Sequence, residues 1–168
     1  NLTTVVRDGI VGHTGATIPV TLEGQIIRIV DRIAYLCHDF DDAQRAGMLT
    51  AEALPFEVRE HFGMTPSSMI TAMVEDMVRE SLDKPAISMS ADVEMTMNLF
   101  RQFMFKHVYL APALIPDRKK ASHVVKNLFT HFMEHPDDME GCEIGKAFYS
   151  TRDVVDYVAG LTDQYAIK

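Results

Sequence analysis

The chain has 168 residues, of which 47% are hydrophobic and 24% charged, and its formal net charge is −8 at pH 7. This length suits one domain with a proper core, and no segment approaches the roughly 20 apolar residues that cross a bilayer. The only basic run is the short DRKK at 117–120, so we expect no membrane span and no strong nucleic-acid footprint.

Apolar residues recur at helical spacing along the whole chain, and alternating strands with hairpin turns are missing. Glycine and proline clusters separate the helices, and Thr65 before Pro66 and Ser90 are typical helix starts. We therefore expect an all-α domain, a bundle of about six to seven helices around one core. In chain order the predicted helices are 4–13, 21–46, 51–62, 66–82, 90–110, 117–134 and 150–163.

Methionine is abundant, and Met69, Met73 and Met77 recur every four positions in one predicted helix. Such a stripe is typical of flexible core packing, with a groove for a partner as the alternative. The two cysteines, Cys37 and Cys142, are too few for a disulfide framework. Cys37 lies beside an apolar stripe, which indicates a small core residue in a reducing, cytoplasmic setting.

The second predicted helix has two contrasting faces when residues 26–42 are plotted at about 100° per residue. Asp is a poor residue for a helix interior, so its repeated use on one face indicates either a functional face or a solvated one. The predicted core stripe is Ile26, Ile29, Ile33, Leu36 and Phe40. The polar face contains Arg28, Asp31, Tyr35, His38, Asp39 and Asp42.

The pattern TLEGQ, DRIAY, HD, DA and RAG within residues 21–47 resembles the deoxynucleoside triphosphate triphosphohydrolases, the dGTPase-like branch of the HD-domain superfamily, in their C-terminal half. Three further blocks follow the family's order: VRDGIVGHTG at 6–15, FRQFMFKHVY at 100–109 and VVDYVAGLTDQYAI at 154–167. The resemblance implies an HD-domain-like helical bundle. The departures from the family's pattern are Gly12, Cys37, Leu161 and Gln164.

The resemblance implies that water attacks the α-phosphorus of a deoxynucleoside triphosphate and releases a deoxynucleoside and an intact triphosphate. It also implies a divalent metal such as Mg²⁺ or Mn²⁺, held by a His, a His-Asp doublet and a later Asp. That later Asp is Asp31, so the pair His38-Asp39 is not the metal doublet. We expect the remaining ligands in a segment before Asn1, so that this chain alone binds metal weakly and shows no turnover.

The resemblance also implies substrate contacts. Tyr35 would stand beside the sugar, Asp39 would accept a hydrogen bond from the 3′-hydroxyl, and Arg32 would bind a phosphate oxygen. Arg101 resembles the family's phosphate-contacting arginine, and Tyr109 its nucleotide-packing aromatic. Local alternatives stay open, because Arg32 suits an ordinary helical ion pair and an aromatic-rich core helix can carry one arginine at its surface.

Two histidines are further candidates for the site. His38 and His13 are the last candidates, with His13 near the site only if the loop before the long helix folds back.

The main hypothesis is the triphosphohydrolase, a cytoplasmic homo-oligomer acting on deoxynucleoside triphosphates. The alternatives are a helical binding or oligomerisation module without catalysis, and another HD-type phosphohydrolase.

The string HFMEH at 131–135 resembles a zinc-peptidase motif, but Pro136 disfavours helical geometry at His135.

Overall fold

The structure, a computed structural model, describes residues 2–139 and 149–166, so Cys142 lies outside the described residues. The all-α prediction is confirmed, since no strand occurs in these two ranges. The α-helices are α1 (Thr4–Gly12), α2 (Leu22–Arg45), α3 (Phe56–Phe62), α4 (Pro66–Ser81), α5 (Ala91–Met104), α6 (Ile115–Glu134), α7 (Thr151–Gly160) and α8 (Asp163–Ala166). The remaining helical segments are a π-helix at Phe105–Tyr109 and 3-10 turns at Ala51–Ala53, Pro112–Leu114 and Pro136–Asp138.

Two predicted helices change geometry partway along. The predicted helix 51–62 is a 3-10 turn followed by α3, because Pro55 has no amide hydrogen with which to continue a helix. The predicted helix 90–110 is α5 followed by the π-helix, in which the Leu110 amide donates to the Phe105 carbonyl at 2.9 Å. The aromatic-rich end of this helix is therefore wider than the sequence pattern indicates.

Side-chain caps explain where several helices begin. The Thr65 hydroxyl accepts from the Ser68 amide, and the Ser68 hydroxyl accepts from the Thr65 amide, both at 3.2 Å. This reciprocal capping box, with Pro66 in the first turn, confirms the predicted start of α4. Ser90 begins α5 with a single cap hydrogen bond, in which its hydroxyl accepts from the Val93 amide at 3.4 Å.

The predicted helix 150–163 is two helices. α7 ends at Gly160, and α8 starts beyond Thr162, whose hydroxyl accepts from the Tyr165 amide at 3.3 Å. The described residues therefore form eight α-helices instead of the six to seven expected. None of these helices combines the length and apolar character that crossing a membrane requires.

The first compact unit, Asn1–Ala111, has a core rich in methionine and phenylalanine. Met69, Met73 and Met77 are all buried, which confirms their core role and excludes a partner groove along this stripe. The rings of Phe40 and Phe100 meet edge to face at 5.8 Å between centroids. Such a pair contributes about 0.5–1.5 kcal/mol beyond its area burial.

α2 supplies the longest stripe of this core, although its first turns do not take part. Ile33, Leu36 and Phe40 are fully buried, but Ile26 is exposed, so its predicted core position is wrong. Ile26 lies in the first turns of α2, where Gly24 approaches Gly9 of α1, and it is not part of the main cluster. Cys37 is buried as predicted, and burial raises the pKa of its thiol to about 12, which keeps it protonated and unreactive.

Two polar side chains hold the connections of this unit in place. The amide of Gln25 donates to the Pro19 carbonyl at 3.1 Å and accepts from the Ile87 amide at 3.0 Å, which joins two distant loops. The buried carboxylate of Asp76 accepts from the Ser90 amide at 2.8 Å and pairs with Arg79 at 2.7 Å. Asp76 therefore fixes the start of α5 against α4.

The second compact unit, Pro112–Lys168, has its own small hydrophobic cluster of Phe132, Met139 and Val154. The ring of Phe132 meets Tyr157 edge to face at 4.9 Å between centroids. The described residues thus contain two separate clusters where the sequence predicts one core. α6 ends at Glu134 and His135 has a non-helical backbone, as the proline after it predicts.

Candidate functional site

A cavity of about 450 Å³ in the first unit contains five of the residues singled out from the sequence. Asp31, Arg32 and Tyr35 reach it from α2, Arg101 from α5, and His13 from the loop after α1. The predicted candidates therefore converge, although they are spread over 88 positions from His13 to Arg101. The rest of the lining comes from Thr14, Gly15, Arg28 and Asn98.

Helical periodicity explains how two helices aim these groups at one space. Positions 28, 31, 32 and 35 of α2 are spaced by three and four residues, so they share one face. Asn98 and Arg101 of α5 are likewise one turn apart. Because α2 and α5 pack against each other, the two polar faces border the same opening.

The loop between α1 and α2 does fold back, and Arg28 holds it there. The Arg28 guanidinium donates to the carbonyls of Gly12 at 2.7 Å, Thr17 at 2.9 Å and Gly15 at 2.6 Å. Pro19 packs so closely that a Cβ on Gly12 would meet its ring at 2.8 Å. These contacts satisfy the condition under which His13 was expected near the site.

One ring nitrogen of His13 has a defined partner. Its Nδ1 lies 2.5 Å from the carbonyl oxygen of Ile10, and since that oxygen can only accept, we assign the proton to Nδ1. The other nitrogen, Nε2, is then the atom through which His13 can meet a ligand. His13 is half-buried and borders the cavity beside Thr14.

The charges in the cavity favour an anion. Three guanidinium groups and a single carboxylate, that of Asp31, line it. The nitrogens of Arg28 already bind carbonyls, whereas Arg32 and Arg101 form no ion pair with any carboxylate in residues 2–139 and 149–166. Two guanidinium groups therefore remain for a ligand, and such groups bind phosphate in bidentate fashion.

Asp39 and Tyr109 form a hydrogen-bonded pair beside this cavity and are not part of its lining. The Tyr109 hydroxyl donates to a carboxylate oxygen of Asp39 at 2.5 Å. The pKa of Tyr109 is raised above its usual value of 10.0, first by burial and then by the hydrogen bond and charge of Asp39. Tyr35 raises this pKa further and Arg101 lowers it.

His38 does not join the other candidates, since it is exposed on α2 and absent from the cavity lining. The adjacent residues His38 and Asp39 therefore differ in their surroundings. His38 is exposed, whereas the Asp39 carboxylate binds Tyr109.

The described residues do not offer a complete donor set for a metal ion. No three His, Cys, Asp or Glu side chains lie together there in a way that could hold an ion. Asp31 is the only carboxylate in the cavity, it is exposed, and cationic groups accompany it. One carboxylate does not hold a divalent cation against water, so these residues do not by themselves fit a complete metal site.

Sequence reasoning missed Arg28 and Asn98 as parts of the cavity. Arg28 was assigned to the polar face of α2, and its three-residue spacing from Asp31 was the signal that could have placed it. Its role in holding a loop depends on a turn that periodicity does not describe. Asn98 precedes Arg101 by one turn, a spacing the sequence also offered.

Similar proteins support the resemblance. A protein of Caldanaerobacter subterraneus subsp. tengcongensis named "Deoxyguanosinetriphosphate triphosphohydrolase-like protein" is 39% identical over 169 residues, covering 99% of this chain and 50% of the relative. Relatives with the same name from Clostridium perfringens strain 13 and Desulfatibacillum aliphaticivorans are 35% and 31% identical. They are covered over 52% and 54% of their own length, with 98% and 99% of this chain aligned.

A family model described as "Phosphohydrolase-associated domain" matches residues 87–168. This match includes α5 with Arg101 and the π-helix with Tyr109, whereas the α2 residues of the cavity precede it. The chain spans about half the length of the curated relatives it matches, and it corresponds to their C-terminal half.

Proposed function

The chain belongs to the family of deoxyguanosinetriphosphate triphosphohydrolase-like proteins, a phosphohydrolase family, and we propose that it is the C-terminal portion of a metal-dependent deoxynucleoside triphosphate triphosphohydrolase. The reaction would convert a deoxynucleoside triphosphate and water into a deoxynucleoside and triphosphate. The observation that carries this proposal is the cavity in which Asp31, Arg32, Tyr35 and Arg101 converge.

The triphosphate is the part of the substrate that the cavity's charge suits best. Arg32 and Arg101 approach from different helices, so their guanidinium groups can bind separate phosphate oxygens of one chain. Holding a polyanion at two points fixes its orientation as well as its position. The volume of about 450 Å³ falls within the roughly 300–1,000 Å³ typical of small-molecule sites.

The sugar would lie toward Tyr35 and the Asp39–Tyr109 pair. Asp39 has one carboxylate oxygen bound to Tyr109, and its second oxygen can accept a hydrogen bond from a 3′-hydroxyl. The aromatic ring of Tyr35 borders the cavity and would pack against the sugar. On this proposal, the phosphate-binding Arg32 would precede the sugar-binding Tyr35 and Asp39 along α2.

Asp31 would contribute one carboxylate to a divalent cation such as Mg²⁺ or Mn²⁺. The described residues do not complete a site for this cation. The other ligands would therefore come from polypeptide outside the described residues, consistent with relatives about twice as long. No chemical step through the metal follows from these residues. Their own task would be to bind and orient the substrate.

A second candidate is a helical binding or oligomerisation module, which the apolar surface of α1 and the following loop favours. Val5, Val11, Ile18 and Val20 are 54%, 71%, 65% and 79% exposed. Val5, Val6 and Ile10 border one groove together, and exposed apolar patches of this kind are typical of interfaces. We propose that it serves the same enzyme as a contact between subunits of a cytoplasmic homo-oligomer, so the module and the enzyme are compatible.

A matched pair of substitutions on α2 tests the proposed enzyme. In the longest natural polypeptide that contains this chain, Asp31→Ala should lower the hydrolysis of dGTP more than about 100-fold, since even groups behind metal ligands cost roughly 10- to 100-fold. His38→Ala, seven residues along the same helix and outside the cavity, is the control and should retain most of the activity. The measurement is the release of deoxyguanosine and triphosphate, and equal losses from both variants would refute the assignment of Asp31.

A further inference from the structure

Phe105 lies between two of the proposed substrate-binding side chains. The Cζ atom of Arg101 is 5.0 Å from the centroid of the Phe105 ring, a cation–π contact. On its other side the Phe105 ring meets that of Tyr109 edge to face, with centroids 5.0 Å apart and planes at 81°. Tyr109 in turn donates to Asp39, so these four side chains form one continuous series.

The surroundings of Phe105 argue against a role in the hydrophobic core. Its side chain is 40% exposed, and it belongs to neither hydrophobic cluster of the described residues. The core contribution of this helix comes from other residues, among them the buried Met97, Phe100 and Met104. The main contacts of this half-exposed ring are therefore those with Arg101 and Tyr109.

The contact with Phe105 leaves Arg101 able to bind a ligand. The cation–π contact holds the Arg101 guanidinium through its charge, and Arg101 forms no ion pair with a carboxylate of the described residues. The ring therefore restricts where Arg101 can lie while its charge stays available to a phosphate. Ordering a long side chain in advance saves part of the roughly 0.5–1.5 kcal/mol that its immobilisation on binding costs.

The backbone at this point is also unusual. The π-helix begins at Phe105 and ends at Tyr109, and the two rings are its first and last residues. Single π turns inside α-helices occur frequently at functional sites. Here the wide turn carries Tyr109 to Asp39 on α2 while the Phe105 ring keeps contact with it.

We propose that Phe105 is a positioning residue that holds Arg101 and Tyr109 at a fixed separation, so that the phosphates and the sugar of a deoxynucleoside triphosphate are gripped as one unit. This inference rests on the proposed function, because it assumes that Arg101 binds phosphate and that the Asp39–Tyr109 pair binds sugar. Phe105 itself would not touch the reacting atoms.

The test compares three substitutions in the 168-residue chain by NMR titration with dGTP and with inorganic tripolyphosphate. Phe105→Leu should raise the Kd for both ligands by about 3- to 30-fold, the range that a lost cation–π contact gives. Phe105→Tyr keeps the ring and should stay within about twofold of the unmodified chain. Phe56→Leu, at an exposed phenylalanine of α3 outside the cavity lining, is the matched control and should leave both Kd values unchanged.

A positioning role is separated from a general packing role by a double-substitution cycle. In an Arg101→Ala background, Phe105→Leu should weaken tripolyphosphate binding no further, because the ring acts through Arg101. A full additional loss in that background, or a Phe105→Leu chain that binds like Phe56→Leu, would overturn the proposal.

A ligand-free signal keeps this result distinct from a failure of the proposed function. The ring current of Phe105 should shift the Arg101 Nε–H resonance upfield, and Phe105→Leu should abolish that shift. An unmodified chain that binds neither dGTP nor tripolyphosphate would count against the proposed function. An Arg101 resonance that is the same with and without the ring would count against Phe105 alone.

Discussion

The two faces of α2 differ in what determines them. On one face Ile33, Leu36 and Phe40 are fully buried, and the removal of apolar surface from water is enough to explain them. On the other face Asp31 and Tyr35 border a cavity and are matched to groups from another helix and a loop. The apolar face is explained by the residues of α2 alone. The polar face is explained only together with the groups that α5 and the loop place opposite it.

Sequence periodicity predicts the buried face of α2 better than its polar face. A buried stripe needs only the right spacing, because any apolar neighbour of suitable shape satisfies it. A polar stripe needs particular atoms opposite it, as the carboxylate of Asp39 needs the hydroxyl of Tyr109, 70 positions away. Helix propensity would not choose Asp for these positions, so the cost of about 0.5 kcal/mol per residue is evidence of another constraint.

The largest effect on stability is expected from the buried face. Phe40→Ala should lower the free energy of unfolding by about 3–5 kcal/mol, because it removes buried surface and leaves a cavity against Phe100. Tyr35→Phe on the opposite face should change it by less than about 0.5 kcal/mol. Denaturant unfolding measures both, and a comparable loss from the two would break the distinction between the faces.

The next effect concerns Asp76 of α4. This carboxylate is buried like the apolar face of α2, but like the polar face it depends on specific partners. Asp76→Ala should cost about 1–3 kcal/mol, since the Ser90 amide at the start of α5 loses its acceptor. Burial alone would raise the pKa of Asp76, but the hydrogen bond from Ser90 and the charge of Arg79 outweigh it and hold that pKa below 3.8.

The sign of the pH effect follows from that shift. A carboxyl whose pKa is lower in the folded state stabilises the fold above the unfolded pKa of 3.8, and loses this contribution as the pH falls through the folded pKa. The unmodified chain should therefore lose stability below about pH 4 more steeply than Asp76→Asn, which cannot titrate there. Parallel acid-unfolding curves for the two chains would contradict this role of Asp76.

The last effect on stability concerns the hydrogen-bonded pair beside the cavity. Tyr109→Phe should cost about 1.5 kcal/mol, the lower end of the range for a hydrogen bond to a charged group, because the pair is only half-buried. Because the pKa of Tyr109 is raised above 10.0 in the folded state, its contribution is complete below pH 10 and is lost as the pH rises further. Tyrosinate absorbance should show one tyrosine that ionises later than the others, and Tyr109→Phe should remove that late step alone.

Much of the fold follows from the sequence, since caps and breaks are local. Thr65 with Pro66 and Ser90 mark helix starts because their hydroxyls accept from amides only three positions away. The π-helix escaped prediction, because its hydrogen bond to Leu110 replaces an α-helical one without changing the apolar pattern. The second hydrophobic cluster was missed for a similar reason, as spacing indicates a buried face and not which faces share a core.

The candidate site was predicted less completely. The resemblance supplied Asp31, Arg32, Tyr35 and Arg101, and the fold brings all four to one cavity. Periodicity could not supply the Arg28 contacts with three carbonyls, because they depend on the path of a loop. The sequence does not single out Phe105, because an aromatic within FRQFMF suggests a core position, whereas its ring is half-exposed in the fold.

The central claim is that the polar face of α2 and Arg101 together form a binding site for a triphosphate. The most direct measurement is an NMR titration of the 168-residue chain with inorganic tripolyphosphate. We predict saturable shifts for Arg32, Tyr35 and Arg101, with none for the exposed His38 or for α3. Saturable binding that leaves the cavity residues unshifted, or no shift at millimolar ligand, would contradict the account.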